Sequence, residues 1–312
     1  MEQDKVTASS FIRVIEIWVP DASGANLVLS SADYGGLKAF SQVSAETSFA
    51  LGEGLPGKAW QSQRPLVLKE FEEATFVRTA AARDAGLTSG VALPVFMGGE
   101  CTAVVVMLCG DVDAATGAIE VWQDDGLSGM ALVEGYYGAM ERFEWISKQV
   151  RFPLGVGLPG GVWKSHQPTI MPDLANSSSF LRAANAKEAG IATGVGIPFY
   201  APSHDEDIAA VLVFLSAKQT PLAQRFEVWQ KSTETNTLWL AAGITAGSTT
   251  VDSEDHLNTI PADAGPTGRA LTTGVPQLAS AADNNHGDTL LAIPIERLDG
   301  SQCAVVMYFM RS

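Results

Sequence analysis

Hydrophobic positions along this chain come in three rounds of the same design. From Phe11 to Val19 the run FIRVIEIWV is β-branched and aromatic with partial alternation, and Asn26 to Ser31 follows after a Pro20-Asp21-Ala22-Ser23-Gly24 turn. This pattern predicts a hairpin. Ala39 to Leu51 reads as a third extended piece. Next comes Gly54-Leu55-Pro56-Gly57, with Trp60 and then Pro65. A proline near a helix start loses only an N–H that had no intrahelical partner, so the phrase predicts a glycine turn feeding a short helix, which Pro65 stops. Leu66-Val67-Leu68 reads as a brief strand, and Phe76 to Ala85 as an alanine-rich helix ended by Gly86. Gly90–Met97 and Thr102–Cys109 close the round as two strands around Gly98-Gly99. The second is apolar at nearly every position, as in the middle of a sheet.

The order then repeats. Ile119-Glu120-Val121-Trp122 answers Ile15-Glu16-Ile17-Trp18, and Gly157-Leu158-Pro159-Gly160 with Trp163 and Pro168 answers the glycine phrase. Phe180 and Arg182 stand for Phe76 and Arg78, and Pro198 for Pro94. A third copy opens with Phe226-Glu227-Val228-Trp229, carries a worn phrase, Gly265-Pro266-Thr267-Gly268, with Leu271 in the tryptophan slot, and ends on Cys303 to Met310. From the phrase's proline to the late proline the third copy is about ten residues shorter, so it is expected to lack the Phe-x-Arg helix. Length alone favours two or three cores. The repeats set the units at 1–113, 114–218 and 219–312. The joining runs, Asp111–Gly117 and Ala217–Ala223, are too short for a loose tether, so the units should pack as close neighbours.

Composition narrows the partners. Apolar residues make up 46% and charged residues 18%, enough to bury real cores. The net charge of −15 opposes binding to nucleic acid or an anionic membrane surface. No signal-like leader opens the chain and no apolar run reaches membrane-spanning length, so a cytoplasmic location is expected. Cys109 and Cys303 fall in or beside β-like runs, which reads as buried reduced thiols.

The phrase GLPGGVWKSHQP from Gly157 to Pro168, with Met171-Pro172-Asp173-Leu174, Phe180-Leu181-Arg182-Ala183 and Ala189-Gly190-Ile191, resembles GAF domains of bacterial sensor histidine kinases and cyclic-dinucleotide enzymes. Unit one matches nearly as well, and unit three only at its strands and weakened phrase. The resemblance implies an α+β fold of three tandem GAF/PAS-like domains. Each would be an antiparallel sheet of five or six strands with short helices on one face, and many members bind a small molecule between the two. Family members usually carry long flanking helices and an output domain. None follows here, so a sensory role is expected to need a separate protein partner.

Candidate ligand-binding residues are Trp60, Phe76 and Arg78 in unit one and Trp163, Phe180 and Arg182 in unit two, the arginines favouring an anionic group. The bland alternative for the arginines is a solvated helix position or a pairing with a nearby acid, and for the tryptophans core packing. Catalysis has little support. The four histidines show no metal-ligand spacing, the cysteines of free methionine sulfoxide reductase near the glycine phrase have no counterpart, and no bilin cysteine is recognisable, so no cofactor is implied. Two main readings stand: a non-catalytic small-molecule sensor acting through a partner, or an interaction scaffold of degenerate units without ligand. An unrecognised enzyme is the third.

Overall fold

The computed structural model describes residues 11–72, 76–110, 116–204, 207–252, 259–280 and 288–309. Three six-stranded antiparallel sheets carry them, each confined to one repeat. The first holds β1 (Ile12–Pro20), β2 (Asn26–Asp33), β3 (Ser48–Ala50), β4 (Leu66–Leu68), β5 (Leu87–Met97) and β6 (Glu100–Gly110), with helices α1 (Lys38–Ala45), α2 (Gly54–Ser62) and α3 (Thr79–Asp84). The second holds β7 (Gly117–Asp124), β8 (Met130–Tyr136), β9 (Arg151–Phe152), β10 (Thr169–Met171), β11 (Ile191–Phe199) and β12 (Ala210–Ala217), with α4 (Glu141–Gln149), α5 (Gly157–Ser165) and α6 (Ala183–Ala189). The third holds β13 (Arg225–Lys231), β14 (Thr237–Thr245), β15 (Thr259–Pro261), β16 (Gln277–Ala279), β17 (Thr289–Glu296) and β18 (Gln302–Phe309), with α7 (Gly265–Thr273). Counted within a unit, the strand order is 3-2-1-6-5-4 every time.

Two local expectations are corrected. Ala39 to Leu51 is not one extended piece: it is mostly α1, followed by the three residues of β3. Phe40 and Ser44 stand four apart and are both buried, so the helical period decides the segment. The Phe76–Ala85 helix is shorter than expected. Helix α3 starts at Thr79, and Phe76-Val77-Arg78 forms the turn that leads into it. The expected loss of this segment from unit three falls on residues 281–287, outside the described residues.

The glycine phrase has a steric reason. Gly54 and Gly157 open their helices at φ +57° and +63°, where a side chain would be strained. A Cβ on Gly57 or Gly160 would meet the carbonyl oxygen of Ala50 or Pro153 at 2.1 Å. A recurrent β-bulge adds to the likeness. Opposite the step from Ile17 to Trp18, from Val121 to Trp122 and from Val228 to Trp229, the second strand of each sheet carries one extra residue, which increases local twist.

The central strands are apolar on both faces because both faces are covered. Ile15, Ile17, Val105 and Met107 of unit one, Val121, Val195 and Phe214 of unit two, and Val228, Ile293 and Val305 of unit three all belong to one shared core. Their neighbours in sequence, such as Val14, Trp18, Val104 and Val106, point the other way into the unit's own core under its helices. Contacts between units run in a cycle: β4 meets β8, β10 meets β14, and β16 meets β2. The fourth strand of each unit thus leans on the second strand of the next, and the third unit closes on the first. Each junction has polar ties. Glu134 accepts from the Val67 N–H at 2.6 Å and pairs with Arg64 at 2.9 Å. Gln230 donates to Gln167 at 2.9 Å, and Thr289 donates to Asp33 at 2.6 Å. Leu222 and Ala223 of the second joining run are buried in the shared core, which makes that connection part of the packing.

Candidate functional site

Glu16 and Trp18 lie two apart on β1 and share the face beneath the helices, where both are fully buried. A carboxylate removed from water needs several donors, and it has them. Arg78 binds both its oxygens, through Nη2 to Oε2 at 2.8 Å and through Nη1 to Oε1. The Trp18 Nε1 donates at 3.0 Å and the Tyr34 hydroxyl at 3.0 Å. Arg78 Nη1 also donates to the Ser44 hydroxyl, and that serine is itself anchored to the Phe40 carbonyl at 2.9 Å. Four rings surround the guanidinium carbon, with centroids at 5.3 Å for Trp18, 4.8 Å for Phe40, 5.6 Å for Phe49 and 5.3 Å for Phe76. Cation–π attraction is strongest in such a desolvated setting.

Unit two rebuilds the cluster, with Ser147 donating to Glu120 as well, at 3.3 Å. Arg182 Nη2 donates to Glu120 Oε2 at 2.9 Å and Nη1 to Oε1, while Trp122 and Tyr137 each donate to Glu120 at 2.9 Å. Ser147 takes the place of Ser44. The rings of Trp122, Phe143, Phe152 and Phe180 stand 4.9–5.6 Å from the guanidinium carbon. Burial, and after it the charge of the glutamate, hold the phenols of Tyr34 and Tyr137 well above the ordinary tyrosine value. Both therefore stay protonated as donors.

Unit three keeps the glutamate and the tryptophan and changes the cation. Trp229 donates to Glu227 at 2.8 Å and the Tyr308 hydroxyl at 3.0 Å. The guanidinium is that of Arg225, two residues earlier on the same strand, whose Nε donates to Glu227 at 2.6 Å. Arg225 and Tyr308 face each other across β13 and β18 at the register position held by Val14 and Leu108 in unit one and by Ala118 and Leu215 in unit two. An apolar pair has become the arginine and hydroxyl that the roof segments supply elsewhere. Arg225 also bonds Asp252 at 2.9 Å, and its side chain is 23% exposed against 1% for Arg78 and 0% for Arg182.

Of the six residues singled out in the sequence, the structure brings Phe76 together with Arg78 and Phe180 together with Arg182. Both arginines point inward and are paired to an acid of the first strand. Trp60 and Trp163 stand outside the ring boxes. Trp60 is half-buried against the core of unit one, and Trp163 donates its Nε1 to Asp207 at 2.9 Å. Glu16, Glu120 and Glu227 escaped the sequence reading, although an acid two before a tryptophan in an apolar strand occurs three times. Trp18 and Trp122 are fully buried, and Trp229 is half-buried.

A groove in unit two runs between the start of α4 and the end of α6, lined by Met140, Glu141, Arg142, Phe143, Asn185 and Glu188, with Arg142 and Glu188 paired at 2.7 Å. An apolar funnel opens where Pro94, Pro198 and Pro294 converge between the three sheets. Among the described residues, no group of three or more His, Cys, Asp or Glu side chains is placed to hold a metal ion, and no helix is long and apolar enough to cross a membrane.

Fold and interior together define a tandem of PAS-like α+β domains, each with an antiparallel sheet roofed on one face. That α+β architecture, with six strands in each sheet, is the one that the resemblance to GAF domains implied. No protein-family model matches the chain, and no curated protein matches it. Among solved structures it is similar to the GAF domain of A. aeolicus nlh2, at 24% identity over 33% of this chain and 60% of that one, with a TM-score of 0.26. The GAF domain of a phosphoenolpyruvate-protein phosphotransferase from Coxiella burnetii shares 17% identity over 31% and 56% of the two chains, TM-score 0.26. A free methionine-R-sulfoxide reductase from Neisseria meningitidis, in complex with its substrate, shares 17% over 33% and 56%, TM-score 0.25. Each likeness extends over about a third of this chain, and this chain spans 56% to 60% of those three.

Proposed function

We propose that the protein is a non-catalytic regulatory scaffold that acts through a separate protein partner, with the interiors of units one and two closed to small molecules by the chain's own side chains. The observation that supports this reading is the filling of both interiors by a glutamate–arginine pair inside four rings. A ligand entering there would have to displace an arginine and leave a buried carboxylate uncompensated, which is strongly unfavourable. The thiols support the non-catalytic part. Burial pushes Cys101 and Cys303 up to about 12 and Cys109 higher still, so none is a thiolate at neutral pH. All three are free, which fits the reducing cytoplasm as the working compartment. Native mass spectrometry of the purified chain tests the reading: the bare polypeptide mass is expected, and a small molecule retained in stoichiometric amount would overturn it.

A second reading, a small-molecule sensor, is favoured by the groove of unit two, where a mixed set of charges meets Met140 and Phe143. Thermal-shift screening with nucleotides, amino acids and dicarboxylates checks it. A stabilisation that disappears in Asn185→Ala and Glu188→Ala would favour the sensor, and no shift would favour the scaffold.

A further inference from the structure

We propose that the Glu-x-Trp site is a guanidinium receptor in its own right, and that the arginine found in it is its ligand, tethered by the chain. The described residues hold three such sites and three guanidinium occupants, but two routes of delivery. Arg78 and Arg182 arrive from the turn after the fourth strand of the sheet, across 62 residues of sequence. Arg225 arrives from β13 itself, two residues ahead of Glu227. The carboxylate and the indole N–H are constant, and the origin of the cation varies. A structural arginine that merely fastened the roof turn to the sheet would have no reason to be replaced by one from the sheet. A receptor that must be filled has that reason, because an empty buried carboxylate is costly.

The bonding pattern supports the same conclusion. Among the described residues, Arg78 and Arg182 hydrogen-bond only through their two Nη atoms, and in both the buried Nε, where the side chain is attached, has no partner. Free guanidinium or methylguanidinium would therefore keep every hydrogen bond and all four ring contacts made in units one and two. An ammonium group would not, since it lacks the planar fork that spans both carboxylate oxygens and stacks on rings. The class of ligand is thus a small guanidinium compound, admitted when the tether is removed. Unit three differs in two respects: its arginine donates through Nε as well, and its side chain is 23% exposed.

This inference rests on the self-filled reading above, and one experiment separates the two. Full-length Arg182→Ala and Arg225→Ala are followed by thermal unfolding in low-millimolar guanidinium chloride, methylguanidinium chloride, ammonium chloride and sodium chloride at equal ionic strength. Binding to the folded state alone raises the midpoint by mass action. The expected result is a saturable rise for the variants with the two guanidinium salts, none with ammonium or sodium, and none for the wild type. If Arg182→Ala does not fold, Arg225→Ala decides by the same comparison. Equal responses of variant and wild type, or equal effects of all four salts, would overturn the receptor. With the wild type still carrying no small molecule in native mass spectrometry, that result would leave the scaffold reading standing.

Discussion

Units two and three contain the same acid beside the same tryptophan and solve its burial differently. Glu120 is sealed in, with a bidentate arginine, a tyrosine, a serine and a tryptophan around it. Glu227 is tied to an arginine of its own strand that also reaches Asp252 and Thr245 near the surface. Deep burial makes a charge pair costly to break, whereas partial exposure lets water compensate. The difference shows that the conserved need within this chain is compensation of the carboxylate, and that the roof segment is one of two ways to meet it.

The largest expected effect tests that contrast. Glu120→Ala leaves Arg182 buried without its partner and should cost about 3–5 kcal/mol. Glu227→Ala should cost clearly less, because Arg225 keeps Asp252 and solvent. Urea unfolding of the two variants measures this, and equal losses would break the comparison. Next comes the tryptophan pair: Trp122→Ala empties a fully buried site and should cost about 3 kcal/mol or more. Half-buried Trp229→Ala should lose noticeably less in the same assay.

The glycine phrase gives a smaller contrast. A Cβ on Gly157 would stand 2.5 Å from the Phe152 ring, one of the four rings around Arg182, whereas one on Gly265 meets nothing within 4 Å. Both residues have positive φ. Gly265→Ala should therefore show only the backbone term, about 1 kcal/mol, and Gly157→Ala more. Matching midpoints would show that the weakened phrase is as tightly packed as the others.

A further effect, absent at neutral pH, is on the alkaline side. Burial holds the thiols of Cys101 and Cys303 up to about 12, above the ordinary value of about 8.5. Each acid is harder to ionise in the folded state, so the unfolded chain gives up its protons first. Their stabilising contribution is complete below about pH 8.5 and is lost as pH rises from there towards 12. Units one and three should feel this, while unit two, without cysteine, should not. A Cys101→Ala, Cys303→Ala variant should lose less stability than wild type over that range. An unchanged slope of the urea midpoint against pH would contradict the assignment.

Much of the fold was legible in the sequence, for local reasons. The hairpin of β1 and β2, the helix that carries Trp60 and Trp163, and the two-glycine turn at Gly98 and Gly99, whose φ values are +59° and +82°, follow from periodicity and turn chemistry. Helix α1 was misread because its eight residues hold only two buried positions, and a single i, i+4 pair is a weak signal. The site was half legible. Phe76, Arg78, Phe180 and Arg182 stood out because they recur on an otherwise plain segment. Their partners Glu16 and Glu120 did not, because on an apolar strand a lone acid gives no sign of which face it takes or what meets it there.

By itself the sequence determined that there are three units, where each begins its strands, and that the glycine phrase must turn tightly, since these depend on residues close together in the chain. Only the tertiary structure decided that the second face of every central strand is buried, because that face is covered by other units and not by its own helices. It also decided that the units close into a cycle, and that each glutamate finds its arginine 62 residues away in units one and two but two residues away in unit three. A buried charge constrains the sum of its surroundings and not the address of its partner. That address depends on which segments the packed sheets and helices bring together.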